Sequence, residues 1–377
     1  MSSSVFDVAI AGAGIVGAAC AAECARAGMK VVVLEKEMMG GGATAAGMGH
    51  IVVMDDSEAQ FALTRYSQQL WRELAAKLPA EVEYDPCGTI WMATDEQEMA
   101  EVQRKQAFYG ARGVPTEVLD GQALEDSEPN LRKGLAGGLL VPEDAVIYPP
   151  CAARYLLEQA QARGAELRIG HAAREVEEDG LRLSDGSRVA AGITVNATGA
   201  WSPVLTPGID VNKRKGHLVI TDRYPGFVRH QLVELGYLKS AHSLTADSVA
   251  FNVQPRRTGQ LLIGSSRQYG AEDTQVDTPI LQRMLARACE YMPGLARLSA
   301  IRAWTGFRPA TPDKLPLIGP CPGHSRLYLA TGHEGLGITT SLATAKLLVD
   351  QLQHRTPAIP IEPYLPSRAA QEKAHAC

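Results

Sequence analysis

Two rhythms of apolar and polar residues run along this chain. Near its start, FDVAIAG (6–12) is a short unbroken apolar run of strand type. IVGAACAAECARAG (15–28) reads as an Ala-rich helix and KVVVLEK (30–36) as a second buried strand. Strand, helix and strand in so short a span predict a β-α-β unit, whose right-handed crossover requires a parallel sheet. GGGATAAGMGH (40–50) is expected to be a flexible loop of small residues. A long amphipathic helix over 58–78 follows, then a strand of alternating faces in CGTIWMATD (87–95) and a charged helix over 96–110. PEDAVIYPP (142–150) reads as a Pro-interrupted turn ahead of a helix and a strand. In LRLSDGSRVAAGITVNATGAW (181–201), Asp185-Gly186 marks a hairpin turn before a buried strand that ends at Gly199. From 215 to 302, stretches such as GHLVITD, SVAFNVQP and GQLLIGSS are strand-like, while 301–320 reads as loop-rich. A last helix over 337–353 precedes a Pro-punctuated tail expected to be poorly ordered at its end. Nucleotide-type elements therefore sit at both ends of the chain, around a β-rich middle.

Composition narrows the class. With 377 residues, 45% apolar and 21% charged, the chain has the make-up of a globular enzyme large enough for two domains. A net charge of −5 gives no footprint for nucleic acid or a polybasic membrane surface. The seven cysteines form no C-x-x-C pair, a pattern of reduced thiols rather than of a disulfide framework or a zinc site. The first apolar run lacks a basic region ahead of it, and no stretch is long enough to cross a membrane, so a soluble cytoplasmic protein is expected.

The candidate chemistry begins with Gly12, Gly14 and Gly17, a G-x-G-x-x-G between strand and helix. The first glycine allows a tight turn, the second lets a pyrophosphate reach the backbone, and the third lets helix and strand pack closely. The helix start at Ile15 and Val16 then offers free N–H groups and a favourable dipole to phosphate. Glu35, followed by Lys36, ends the second strand where a carboxylate accepts bonds from ribose hydroxyls and disfavours a 2′-phosphate. VNATGAW (195–201) supplies a further strand, with Ala197, Gly199 and Trp201 beside the expected phosphate site. TGHEGLGITT (331–340) offers a second glycine-rich helix start, at Gly332, Gly335, Leu336, Gly337, Ile338 and Thr339. Its dipole would stabilise negative charge on a reduced flavin, which favours FAD over NAD; a plain strand-to-helix turn is the alternative.

These pieces, with ATAAGMG, WTGFRPATPDKLPLIGP and SLATAKLL, resemble the FAD-dependent amine oxidoreductases of the D-amino-acid oxidase superfamily over nearly the whole length. Glycine oxidase and sarcosine oxidase are the nearest groups. The wording GHEGLGITT and GTIWMATDE is closest to β subunits of hetero-oligomeric dehydrogenases: D-hydroxyproline dehydrogenase, opine oxidases and hydrogen cyanide synthase. The resemblance implies an α/β fold, with a Rossmann-type FAD-binding domain of the glutathione-reductase kind and a mixed-sheet α+β substrate domain. The corresponding segments are 1–85, 150–215 and 305–377 for FAD, and 86–149 and 216–304 for substrate. It also implies that Thr44, Ala45, Ala46, Gly47 and Met48 line the pyrophosphate and one flavin face, and that Val176 meets the adenine through its backbone atoms. Arg308 would bind the substrate carboxylate, a role its fixed guanidinium fork suits; an ion pair with Asp313 is the alternative.

Three departures mark this chain off. Asn252 stands where glycine oxidase has an active-site tyrosine, so the pocket is expected to take a different, more polar substrate. Arg267 stands where family oxidases place a lysine or methionine near the flavin; a solvated loop arginine is the other reading. PEDAVIY offers Glu143 and no histidine where the sarcosine oxidase β subunit links FMN covalently, so FAD is expected to be non-covalent. Room remains for a non-covalent FMN at a subunit interface. The expected reaction is hydride transfer from Cα–H of an amino or imino acid to flavin N5, with cis-4-hydroxy-D-proline the best guess. The chain would serve as catalytic β subunit beside α and γ partners, associated with a membrane only through them. A stand-alone glycine or sarcosine oxidase using O2 and a non-catalytic electron-relay subunit are the alternatives. His50 is a candidate proton relay or a structural residue; His333 is expected to order its turn; Tyr237, Tyr269 and Trp304 are candidate pocket walls.

Overall fold

The computed structural model describes residues 5–236 and 247–368. The strand Phe6–Ala11 lies at the heart of the first sheet, parallel to Val31–Glu35 on one side and Arg188–Asn196 on the other. Glu166–Ile169 and Leu327–Thr331 extend the parallel pairing outward, and Leu317–Pro320 closes one edge antiparallel. The strands of this sheet thus come from both ends of the chain, as the apolar runs require.

The helix Ile15–Arg26 explains why so many alanines stand together. It packs between the helices Pro149–Gln161 and Gly337–Leu352, and Ala18, Ala21 and Ala25 are buried in that core. Small side chains allow helices to approach closely. The amphipathic helix runs from Glu58 to Ala75 and starts where Ser57 Oγ accepts from the Gln60 amide at 3.0 Å. Asp95 caps the charged helix Glu96–Gly110 in the same manner, at 2.9 Å from the Glu98 amide. The hairpin turns at Asp185-Gly186, with Gly186 at φ 84°.

The second sheet is mixed, in the order Ala300–Ala310, Asn212–Thr221, Leu261–Arg267, Ser248–Pro255, Gln231–Glu234, Thr89–Ala93, Gly137–Val141, Glu117–Asp120. Only Gln231–Glu234 and Thr89–Ala93 pair parallel. Two of its strands, Asn212–Thr221 and Ala300–Ala310, run across the segment boundaries at 215/216 and 304/305.

Three local expectations need correction. The segment 301–320, with its prolines, is not loop-rich: Ala300–Ala310 is an eleven-residue strand, and Leu317–Pro320 another. Ala300–Ala310 is an edge strand, where Pro309 breaks no central ladder. The stretch 40–50 is not a free loop, because Gly42–Ala46 is helical, Gly40 N donates to Ala13 O at 2.8 Å, and Met48 O accepts from Gln254 at 2.7 Å. Finally, the strand-like middle contains the helix Thr278–Tyr291, started by Asp277 accepting from the Ile280 amide at 3.1 Å.

Candidate active site

One cavity of about 740 Å³ extends from the strand ends of the first sheet to the face of the second. Its first end is built from backbone. Gly12 has φ 105°, and a Cβ there would lie 2.6 Å from the Ala197 carbonyl oxygen. Gly17 sits behind the wall: a Cβ there would fall 2.0 Å from Gly12 O. Only glycine gives this turn and this helix–strand contact. Glu35 is fixed by two amides, Ala13 N at 2.9 Å and Glu37 N at 2.9 Å, and Lys36 lies 5.0 Å from the Trp201 ring centroid. Thr44 Oγ1 accepts from Ile15 N at 2.9 Å, which ties the small-residue segment to the helix start.

The starts of two long helices, at Ile15 and Gly337, border the same space. Both dipoles favour negative charge there. Gly12, Gly14, Ile15, Val16, Glu35 and Lys36 line this end. Thr44, Ala46, Gly47, Met48, Ala197, Gly199 and Trp201 continue it, facing Gly335, Leu336, Gly337 and Ile338. Gly47 is another close approach, since a Cβ there would lie 2.7 Å from Ile338 Cδ1. Ala45, Gly332 and Thr339 are not on the wall. Thr339 instead donates to the His50 carbonyl at 2.8 Å, while Gly332 turns at φ 78°. The Val176 side chain packs among apolar residues beside Leu181 and Val211, while His171, Ala172 and Ala173 line the cavity.

The second end is built from side chains. Arg308 Nη1 donates to the Ser266 carbonyl at 3.0 Å, and the guanidinium lies over Gly216, where a Cβ would come within 2.4 Å of Nη1. The alternative partner Asp313 is held by Arg368, at 2.7 and 3.2 Å. Arg214, opposite Arg308 in the strand register, pairs with Glu334 at 2.7 Å on the same wall. Arg267 is a buried strand residue, 7% exposed, rather than a solvated loop arginine. Asn252 lines the cavity with a buried Oδ1 that has no hydrogen-bond partner among the described residues.

His50 lines the cavity too, and its Nε2 is likewise buried without a partner. Burial pushes its pKa down to about 4, with the Arg308 charge acting in the same direction, so the ring is neutral at ordinary pH. His333 also lines the wall, but its Nε2 pairs with Thr344 Oγ1 at 3.0 Å, and burial holds it down to about 3. Tyr269 and Trp304 do not line the cavity; Arg214 stacks over the Tyr269 ring at 4.8 Å and Trp304 packs near Met48 and Leu218. Tyr237 lies outside the described residues. Glu143 pairs with Arg65 and Arg72, away from the wall. Sequence reasoning missed Trp91, Gln231, Ser265, Arg214 and Glu334, and only alternation within strands could have flagged the first three.

The description "FAD dependent oxidoreductase" (DAO) is that of a family model matching residues 7–351. The chain belongs to that family. The family fits the cavity: the glycine cradle, the backbone-held Glu35 and the two helix starts are what FAD would need, from ribose and pyrophosphate to flavin ring. Among family members, the chain is 29% identical to glycine oxidase of Geobacillus kaustophilus (strain HTA426), over 95% of this chain and 96% of that one. The crystal structure of glycine oxidase from Geobacillus kaustophilus superimposes with a TM-score of 0.86 at 28% identity, covering 96% of this chain and 98% of that chain. Hydrogen cyanide synthase subunit HcnC of Pseudomonas aeruginosa is 26% identical over 98% of this chain and 97% of that one. This family member is thus an FAD-dependent oxidoreductase of mixed α/β fold. None of its described helices is long and apolar enough to cross a membrane.

Proposed function

We propose that the protein oxidises the Cα–N bond of an amino or imino acid, with cis-4-hydroxy-D-proline the first candidate, as the catalytic β subunit of a dehydrogenase. The observation that supports this reading is Arg308, whose guanidinium is anchored on Ser266 O and flanked by Gly216 and Gly335, in the cavity that holds the dinucleotide cradle. A partly buried, pre-aimed fork binds a carboxylate bidentately and so fixes the substrate's Cα. The substrate nitrogen enters as an ammonium and must lose a proton before its lone pair can stabilise an iminium. His50, neutral on the cavity wall, is the group we assign to relay that proton. FAD, when bound, supplies the acceptor for the hydride leaving Cα. The imine released is hydrolysed, or is a Δ1-pyrroline if the substrate is a proline. We further propose that the segments 1–85, 150–215 and 305–377 hold the cofactor and that 86–149 and 216–304 hold the substrate.

A second reading, a stand-alone oxidase passing electrons to O2, is supported by the likeness to glycine oxidase along the full length. Anaerobic titration of the purified holoprotein with cis-4-hydroxy-D-proline, D-proline, sarcosine, glycine and octopine tests the first reading. Rapid flavin bleaching by an amino or imino acid is the expected result, and no bleaching by any of them would refute it. Stoichiometric peroxide from the isolated chain in air would select the oxidase.

A further inference from the structure

The wall that the second sheet gives to the cavity is unusually rich in polar atoms with nothing to bond. Trp91, Gln231, Asn252 and Ser265 are each 5% exposed or less. Trp91 Nε1, Gln231 Oε1, Asn252 Oδ1 and Ser265 Oγ are buried and have no hydrogen-bond partner among the described residues. All four residues line the one cavity.

Their placement follows from strand register. Trp91 pairs with Val233, and Val233 with Asn252, so these three residues form a row across neighbouring strands and share a face. Gln231, two residues before Val233, shares that face by alternation. Gln254, two residues after Asn252, reaches the Met48 carbonyl at 2.7 Å, which sets this face against the segment lining the flavin end. The register slips between Val249 and Asn252, next to Ser265.

Buried polar groups in proteins are paired almost everywhere, so four orphans on one wall point to a ligand that pairs them. Their chemistry selects its kind. The indole offers a donor, the two amide oxygens are acceptors, and the serine is either. A hydroxyl both donates and accepts and carries no charge. An ammonium would have no use for the indole N–H, and an alkyl group would leave all four unpaired. A second carboxylate would meet Arg267 but also two amide oxygens.

We propose that Trp91, Gln231, Asn252 and Ser265 form a specificity subsite that reads a hydroxyl substituent of the substrate, so that the enzyme prefers hydroxylated amino or imino acids to their deoxy analogues. This rests on the amino- or imino-acid reading above and adds the residues that choose among such acids. Sites built to bond a hydroxyl reject the analogue lacking it far more strongly than apolar pockets reject an extra one.

The test is anaerobic stopped-flow reduction of the holoenzyme by two matched pairs, cis-4-hydroxy-D-proline with D-proline and D-serine with D-alanine, with iminodiacetate as a dicarboxylate. In the wild type, the hydroxylated member of at least one pair should be favoured in second-order reduction rate by about 10²-fold or more. In Asn252→Leu and Gln231→Leu, that ratio should fall towards one whatever the absolute rates; Ser265→Ala, the smallest change, should lower it in the same direction. Flavin content reports that each variant is loaded. A wild-type ratio under about tenfold in both pairs, or ratios the variants leave unchanged, overturns the subsite alone. Faster reduction by iminodiacetate than by any hydroxylated substrate also overturns it. No reduction by any compound overturns the reading on which it rests, and the subsite with it.

Discussion

The two ends of the cavity are made of different material. At the dinucleotide end, backbone does the shaping: Gly12 turns at φ 105°, and Glu35 is held by two amides. At the other end, side chains from several strands converge, and several of their buried polar atoms have no partner among the described residues. The first end takes its shape from backbone turns before anything binds, whereas the second takes its shape from side chains whose buried polar atoms a ligand would pair. A common cofactor suits a rigid backbone mould. A specific substrate suits side chains, which can be exchanged without disturbing that mould.

Gly12→Ala tests the contrast most severely. It forces a Cβ into a positive-φ turn and against Ala197 O, so purified protein should carry almost no flavin. Full flavin loading would break the claim that backbone shapes this end. Arg308→Leu should do the reverse, leaving flavin content near wild type while slowing reduction by substrate about 10²- to 10³-fold at fixed concentration. Equal loss of flavin and reduction would mean the two ends are not separable.

A smaller effect is expected from Glu35→Ala. Two amides and the ribose site lose their acceptor, and FAD should bind about tenfold more weakly, as equilibrium dialysis of the apoprotein would report. An unchanged affinity would remove Glu35 from the mould.

The smallest effect concerns pH. His50 and His333 are buried neutral, with pKa values of about 4 and about 3, below the usual value near 6.5. The unfolded chain binds more protons than the folded one as pH falls from about 6.5 towards 4, so stability drops across that window. Asp144 opposes this. Burial raises its carboxyl to about 7, and the folded state then holds a proton the unfolded state lacks between about 4 and 7. Asp144→Asn removes that opposition, and its unfolding free energy from denaturant titrations should fall more steeply between pH 6.5 and 4.5 than that of the wild type, by up to about 1.4 kcal/mol per pH unit. Parallel slopes would show that Asp144 is not held protonated.

The legible parts of the chain were those where neighbours in sequence are neighbours in space. The β-α-β unit, the G-x-G-x-x-G turn, Glu35 at a strand end and the Asp185-Gly186 hairpin all lie within short spans. Elsewhere, distant partners decided. Ala300–Ala310 looks like loop because of its glycine and proline, but Asn212–Thr221 offers it a full antiparallel ladder. Asp313, the nearest acid in sequence to Arg308, is held by Arg368. Arg267 carries no mark of burial in its local sequence.

By itself, then, the sequence determined the family, the cofactor and the glycine turn that begins the backbone mould, because glycine spacing is a local constraint that other residue types cannot meet. Only the tertiary structure decided which side chains line the far end of the cavity. Trp91, Gln231, Asn252 and Ser265 stand on separate strands, and nothing but strand order and register sets them on one wall.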